Sequence, residues 1–198
     1  MNLLRVHWRL LCLAPLLGLG VLPPAGAEEM ALPIPKQVPL FLKILTYDRN
    51  LGNKAGAELA IGIVYDPSDR DSRKATEDLG GVLFQNRGKT VKQLPVKYYT
   101  IEYTDNADLE RFVKQKGISV LYLAPGNARN LANILELSQE KHLTTLTGVP
   151  DYVRKGASVG LGLSQDKTEI LINLKSTRLE GIDFDASLLR LATILGPR

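Results

Sequence analysis

The stretch "ELAIGIVYD" at residues 58–66 has the composition of a strand buried inside a sheet. It is short, rich in Ile and Val, and bounded by a glycine-containing segment on one side and by Pro67 on the other. A strand that is covered on both faces, as in a parallel sheet packed between helices, is a continuous apolar run rather than an alternating one. We therefore predict that residues 58–66 form a central strand of an α/β protein.

The chain that follows this strand alternates between helical and strand-like patterns. Apolar residues recur at helical spacing in three segments, at 68–89, 105–117 and 131–141. Three other segments are strand-like apolar runs, at 96–103, 118–124 and 142–148. Asp105 is placed to cap the second of these helices, and Gly117 is placed to end it. The alternation, with its short turns, predicts a three-layer α/β sandwich with a mainly parallel sheet.

The C-terminal third adds an antiparallel feature to this pattern. Residues 157–163 and 169–174 are strand-like and flank the polar turn "SQDK", so they predict an added β-hairpin. Asp185 then predicts the cap of a last helix. The apolar residues at helical spacing in that helix, which we expect to face inward, are Leu188, Leu191, Ala192 and Leu195.

The N-terminal residues 1–27 have the features of a cleavable signal peptide. Arg5 and Arg9 precede an apolar run, and "AGA" at residues 25–27 supplies the small residues of a cleavage site. We therefore expect an exported protein, located in the periplasm or outside the cell. Cleavage would remove Cys12, so the mature chain would contain no cysteine.

The mature chain is expected to begin with an extended lead-in at residues 28–37, which contain two prolines and lack periodicity. A helical stripe starting at Val38 and ending near Leu51 predicts the first helix. Removing 27 of the 198 residues leaves 171, a length that suits one domain, so we assign residues 38–198 to a single α/β domain.

The charge of the mature chain argues against some classes of partner. Removing Arg5 and Arg9 from the 25 basic residues leaves 23 against 21 acidic residues, without a basic cluster. This near balance argues against a nucleic-acid partner. No segment after the signal peptide is apolar for long enough to span a bilayer, so we expect no membrane insertion after cleavage.

The sequence also lacks the motifs of common enzymes and cofactor-binding proteins. The turn "VYDPSDRDS" after the first strand has no glycine for a dinucleotide, and no Walker-type sequence is present. His142 is the one histidine that remains after export, which leaves no second histidine for a zinc cluster. We therefore predict a non-enzymatic protein with no cofactor and no metal.

The residues from 143 to 195 resemble the YfiR family of exported proteins. The resemblance is carried by a strand ending in "TG", a glycine-dense strand, a polar turn, a strand ending in "IN" and the segment "LLRLA". The segment "FLKILTYDRNL" near the N-terminus is similar to the same family, and the resemblance covers roughly residues 38–195. It implies a periplasmic protein with a Rossmann-like fold similar to one lobe of a periplasmic binding protein.

The resemblance also implies a function. Members of the family are known for binding the outward-facing domain of an inner-membrane diguanylate cyclase and holding it inactive, and others accompany a sensor kinase. We therefore expect a regulator of cyclic-di-GMP or kinase signalling that acts through protein–protein interaction, with repression and activation both open. A second copy of the chain is a further candidate partner. The redox input proposed for members with disulfides is unsupported here, because the mature chain has no cysteine.

Two sets of residues are candidates for partner binding. The first is the end of the first helix, where aromatic and arginine side chains suit an interface but could equally serve local structure. The second is the glycine-dense strand, where a bare backbone permits close approach by a partner, or by a helix of the same chain. The candidate residues are Tyr47, Asp48, Arg49, Asn50, Gly160 and Gly162.

If the protein binds a small molecule, the expected place is the carboxyl ends of the strands, as in other open parallel sheets. Ordinary turn and capping chemistry is the alternative explanation for the residue types found there. The residues assigned to this ligand-binding rim are Asp66, Pro125, Gly126, Asn127, Gly148 and Asn173. The rival function is a single-lobe solute-binding protein of a transport system, although 171 residues leave no room for a second lobe.

Overall fold

The structure is a computed structural model that describes residues 28–196. The predicted signal peptide, residues 1–27, lies outside the described residues. Eight strands form one sheet in the order β2-β3-β1-β4-β5-β6-β7-β8. They are β1 (Leu59–Tyr65), β2 (Thr90–Val91), β3 (Leu94–Glu102), β4 (Ile118–Leu123), β5 (Thr144–Thr147), β6 (Val159–Ser164), β7 (Lys167–Asn173) and β8 (Thr193–Leu195).

The sheet is mostly parallel, as the alternating pattern predicted. Strands β3, β1, β4, β5 and β6 all run in one direction. Strand β7 returns antiparallel to β6, which confirms the predicted hairpin. Its two turn residues, Gln165 and Asp166, both have positive φ, as two-residue turns require when they match the right-handed twist of the strands.

Eight helices accompany the sheet in the described part of the chain. They are α1 (Ile34–Leu45), α2 (Leu51–Lys54), α3 (Arg70–Gln85), α4 (Asn106–Lys116), α5 (Leu131–Glu140), α6 (Pro150–Arg154), α7 (Leu174–Leu179) and α8 (Ala186–Leu189). One apolar core lies between the sheet and helices α1 and α3, and a second lies between the sheet and α4, α5 and α6. Strand β1 contributes to both, with Leu59, Ile61 and Ile63 on one face and Ala60 and Val64 on the other.

The predicted caps are found where the sequence placed them. The Asp105 carboxylate accepts a hydrogen bond from the backbone N–H of Asp108 at 2.8 Å, which starts α4. Gly117 ends the same helix in the left-handed conformation, with φ of 60°. Asp69 plays the same part for α3 by accepting from the N–H of Ser72 at 2.7 Å.

The prediction of a last helix carrying Leu191, Ala192 and Leu195 is wrong. Helix α8 stops at Leu189, and residues Thr193–Leu195 form β8, which pairs in parallel with β7. Strand β7 would otherwise expose a row of unpaired backbone groups at the edge of the sheet, and pairing with β8 satisfies part of them. Leu191 consequently faces solvent, with 73% of its surface exposed.

The N-terminal lead-in is shorter than predicted. Helix α1 begins at Ile34 instead of near Val38, and it ends at Leu45. Pro35 is compatible with this start, because the first turn of a helix has no intrahelical partner for the N–H that proline lacks. The residues near Leu51 belong to the separate short helix α2.

Candidate functional site

The carboxyl ends of the parallel strands bring most of the predicted rim residues to one edge of the sheet. Asp66 follows β1, the turn of Pro125, Gly126 and Asn127 follows β4, and Gly148 follows β5. Because these strands are parallel, the residues after them share that edge.

Asn173 does not lie on this rim. It ends β7, which runs antiparallel to the parallel strands and therefore finishes at the opposite edge of the sheet. Its amide donates to the carbonyl of Val153 at 3.0 Å, and its oxygen accepts from the N–H of Ser176 at 3.2 Å to cap α7. These are structural contacts.

The carboxylate of Asp66 is buried and organises the turn between β1 and α3. One oxygen accepts from the N–H and the hydroxyl of Ser68, at 2.8 and 2.6 Å. The other lies 3.6 Å from the guanidinium of Arg129. The hydrogen bonds from Ser68, opposed by burial and assisted by Arg129, hold the pKa of Asp66 below its usual value, so this carboxylate is charged at neutral pH.

The turn after β4 is fixed by Asn127 and Gly126. The buried amide of Asn127 donates to the carbonyls of Val64 and Ala124, at 3.0 and 2.9 Å, and so joins the ends of β1 and β4. Its side-chain oxygen has no hydrogen-bond partner among the described residues. Gly126 has φ of 87°, and a Cβ there would lie 2.7 Å from the carboxyl carbon of Asp69, so no other residue fits without rearrangement.

The carboxylate of Glu28 occupies the rim beside this turn. One of its oxygens accepts hydrogen bonds from the N–H of Gly126 and the hydroxyl of Tyr152, and the other accepts from the N–H of Ala128 at 3.1 Å. Burial, together with the adjacent Glu28 carboxylate, raises the pKa of Tyr152, which therefore stays protonated and remains a donor. The turn was predicted from the sequence, whereas no local pattern marks Glu28 or Tyr152 as its partners.

The residues after Glu28 hold the N-terminal segment across the rim. The N–H of Ala31 donates to the carbonyl of Gly148 at 3.0 Å. The buried side chain of Gln37 donates to the carbonyl of Leu32 at 2.6 Å and accepts from the hydroxyl of Tyr122 at 2.9 Å. The part of the rim at Gly126 and Gly148 is therefore covered by the chain's own residues 28–32.

The predicted partner-binding residues at the end of α1 divide into two pairs. Asp48 is fully buried, and one carboxylate oxygen accepts from the N–H groups of Asn50 and Asp183, at 2.9 and 3.0 Å. The Asn50 amide donates to the carbonyl of Gly181 at 3.2 Å. These two side chains therefore fasten the end of α1 to the C-terminal segment.

The other pair is at the surface. Arg49 is exposed, and its Nε lies 3.4 Å from the carboxylate of Asp183. Tyr47 is half-buried, with the Lys43 ammonium 5.3 Å from the centre of its ring. Both side chains are accessible to another molecule.

The two candidate glycines of β6 are covered by the chain itself. A Cβ at Gly160 would lie 2.3 Å from a methyl carbon of Val153, so α6 packs directly on this backbone. A Cβ at Gly162 would lie 3.3 Å from the side chain of Leu171 on β7. The alternative stated for these glycines, a helix of the same chain packed on the strand, therefore holds for Gly160, and the helix is α6.

The opposite face of the hairpin carries exposed apolar side chains. Leu163 continues the face of β6 that buries Val159 and Leu161, but 52% of its surface is exposed. Ile194 of β8 is in register with Ile172 on the same face and is 38% exposed. Leu191 lies outside the hairpin, just before β8, and is also exposed. We call Leu163, Leu191 and Ile194 the hairpin surface.

A buried polar cluster surrounds Glu180, which the sequence analysis did not identify. The carboxylate accepts from the hydroxyls of Ser138, Thr145 and Ser158, at 3.2, 2.7 and 2.5 Å, and from the N–H of Thr145 at 2.9 Å. Burial raises the pKa of Glu180 to about 7, against the effect of these donors and of Lys54. The cluster joins the end of α7 to β5 and β6.

Two further properties concern the described residues as a set. Within residues 28–196, no helix is both long and apolar enough to cross a membrane. In the same range, no group of three or more His, Cys, Asp and Glu side chains is arranged to hold a metal ion.

Comparison with known proteins gives both a family and a fold. A family model described as YfiR/HmsC-like matches residues 51–193. A search of curated proteins found no match. The match covers well over half of the chain and includes the glycine-dense strand and most of the rim.

Solved structures with a similar fold include a conserved domain protein from Vibrio cholerae O1 biovar El Tor, with a TM-score of 0.57, 17% identity and coverage of 82% of this chain and 60% of that chain. A second is the ABC domain in complex with L-Trp from Streptococcus pneumonia, with a TM-score of 0.55, 12% identity and coverage of 77% and 58%.

A third is CD0873, a substrate binding protein with adhesive properties from Clostridium difficile, with a TM-score of 0.50, 15% identity and coverage of 75% and 58%. The chain thus spans about three-fifths of the length of these proteins. At such low identities the likeness shows the fold alone, and it confirms the predicted similarity to periplasmic-binding-protein domains.

Proposed function

The chain belongs to the YfiR/HmsC-like family, and on this premise we propose that it is an exported regulator that binds the outward-facing domain of an inner-membrane signalling protein. We take that protein to be a diguanylate cyclase or a sensor kinase whose activity changes when the regulator binds. The observation that carries the proposal is the family match over residues 51–193, which runs from the start of α2 to the first residue of β8.

We further propose that the protein acts by binding and not by catalysis. The three buried carboxylates of the described residues are held in structural roles, since Asp48 fastens the segment after α1, Asp66 organises a turn and Glu180 joins three elements. The ring of His142 is hydrogen-bonded to the carbonyl of Leu179 at 3.0 Å, as a structural residue would be. A periplasmic location, cleavage after residue 27 and a single functional domain are parts of the same proposal.

The hairpin surface is the region that we propose for partner contact. Exposed apolar side chains lose contact with water when a partner covers them, and such patches mark interaction sites. Leu163 and Ile194 lie on the sheet face that packs on α1, whose C-terminal end presents Tyr47 and Arg49. Tyrosine and arginine are enriched among the residues that dominate interface energies, so we propose that these two side chains extend the contact.

The experiment is affinity purification of the tagged protein from cross-linked cell envelopes, with identification of the captured proteins by mass spectrometry. We expect capture of one inner-membrane cyclase or kinase, reduced several-fold by Leu191→Glu combined with Ile194→Glu. Phe84→Glu is the matched control, because Phe84 on α3 is also an exposed apolar side chain, at 57%. Capture that is equal in both variants would contradict the assignment of the hairpin surface.

A solute-binding role in a transport system is the second candidate, and the observation that favours it is the rim at the carboxyl ends of the parallel strands. Substrate binding is a stated property of one protein of similar fold. Calorimetric titration with a panel of amino acids, sugars and organic acids distinguishes the two. Tight binding of one solute together with recovery of transporter subunits would replace the regulatory proposal.

A further inference from the structure

We propose that the turn after β4 and the hydroxyl of Tyr152 form a carboxylate-binding site, which Glu28 occupies in cis and for which a small carboxylate ligand competes. Three donors converge on the Glu28 carboxylate, namely the N–H groups of Gly126 and Ala128 and the Tyr152 hydroxyl. Closely spaced backbone N–H groups in a turn with a left-handed residue make a concave site for an anion.

The donors are held in place before any ligand arrives. Tyr152 is fully buried on α6, and Gly126 adopts its positive φ between Asp69 and Ser72 of α3. Asn127, which lies between the two N–H donors, is fixed by two hydrogen bonds from its amide to the ends of β1 and β4. Ordering the donors of a site costs free energy when a ligand binds, and this cost is small where the donors are already held in position.

A second observation shows an acceptor at this turn that the chain itself leaves unpaired. The side-chain oxygen of Asn127 is buried and has no hydrogen-bond partner among the described residues. A buried polar atom without a partner costs free energy, and in native proteins it calls for an explanation. The carboxylate of Glu28 cannot donate to this oxygen, so the acceptor stays unpaired while Glu28 occupies the turn.

Glu28 competes with any such ligand because it is tethered to the rim. Ala31 and Leu32 are hydrogen-bonded to Gly148 and Gln37, so the Glu28 side chain is only a few residues from an anchored backbone. A group tethered by a short linker has an effective concentration on the order of millimolar, so a weakly binding free carboxylate is excluded until it reaches that range. Removal of the Glu28 carboxylate should therefore expose the site.

The test compares Glu28→Ala with the matched control Glu29→Ala, since Glu29 is the adjacent residue and is exposed. The probe is glutarate, and the readout is the amide resonances of Gly126 and Ala128 in the exported protein. We expect saturable shifts in Glu28→Ala at concentrations at least about tenfold lower than in the native protein or the control, because the tethered competitor is gone. Adding Tyr152→Phe to Glu28→Ala should weaken the response to glutarate.

The native protein provides an independent check that does not depend on the stability of a variant. The amide nitrogens of Gly126 and Ala128 should show scalar couplings, transmitted through the hydrogen bonds, to the carboxyl carbon of Glu28. The proposal is overturned if these couplings are absent, or if Glu28→Ala responds to glutarate no better than Glu29→Ala.

Discussion

The backbone N–H of Thr145 donates to the carboxylate of Glu180 at 2.9 Å, although the residues are 35 positions apart. This bond and those from the hydroxyls of Thr145 and Ser158 attach the end of α7 to two adjacent strands. After Glu180 the chain passes Phe184 and α8, and then reaches Leu191 and Ile194 of the hairpin surface. The Glu180 cluster therefore positions the C-terminal segment against the sheet.

Stability should depend on pH through Glu180. Burial raises its pKa in the folded protein to about 7 from an ordinary value of 4.5, so between these pH values the folded state binds a proton that the unfolded state does not. The contribution of this group to the free energy of unfolding therefore falls as the pH rises from about 4.5 to about 7, and is constant above. Urea unfolding across this range should show the fall in the native protein and its loss in Glu180→Gln.

Glu136→Gln is the control for this measurement, since Glu136 is an exposed acid on α5. The same pH dependence in Glu180→Gln and in the native protein would contradict the assignment to Glu180.

Replacement of Gly160 by alanine should destabilise the protein. The new Cβ would lie 2.3 Å from the Val153 side chain and 3.3 Å from the carbonyl oxygen of Thr147, so α6 must move away from β6. Overpacking of this kind costs about 1–3 kcal/mol. Gly81→Ala is the control, because no atom lies within 4 Å of its added Cβ and alanine favours the helix over glycine. A melting temperature of Gly160→Ala that equals or exceeds that of Gly81→Ala would contradict the contact with α6.

The two pairs of residues at the end of α1 should differ in how much they contribute to stability. Asp48→Ala leaves two N–H groups without their acceptor and should lower the free energy of unfolding by roughly 1–3 kcal/mol per unpaired group. Arg49→Ala removes an exposed ion pair with Asp183 and should cost less than about 1 kcal/mol. Chemical denaturation measures both. Equal losses of stability would mean that Arg49 is also structural, which would remove it from the proposed contact.

The sequence was sufficient to predict the elements whose causes are local. The apolar run around Ile61, the cap at Asp105, the stop at Gly117 and the hairpin turn all follow from spacing and residue type. The prediction of a C-terminal helix was wrong. The spacing of Leu188, Leu191 and Leu195 is helical, but pairing of residues 193–195 with the edge of β7 is a tertiary effect that this local pattern does not show.

The contacts of the candidate sites depend on residues far apart in the chain. Glu28 meets Tyr152 across 124 positions, and Glu180 meets Thr145 across 35. No local pattern marks such partners, since an isolated acid in a sequence resembles any solvated acid. A buried acid at a helix end is recognisable only when the elements around it have been placed.

The proposed regulatory function is tested most directly in cells that lack this protein. We predict that deletion changes the cyclic diguanylate level, or the output of one envelope sensor kinase, and that the native gene restores it while a gene carrying Leu191→Glu and Ile194→Glu does not. The variant must be exported in equal amount for the comparison to hold. An unchanged cyclic diguanylate level and unchanged kinase outputs after deletion would contradict the central claim.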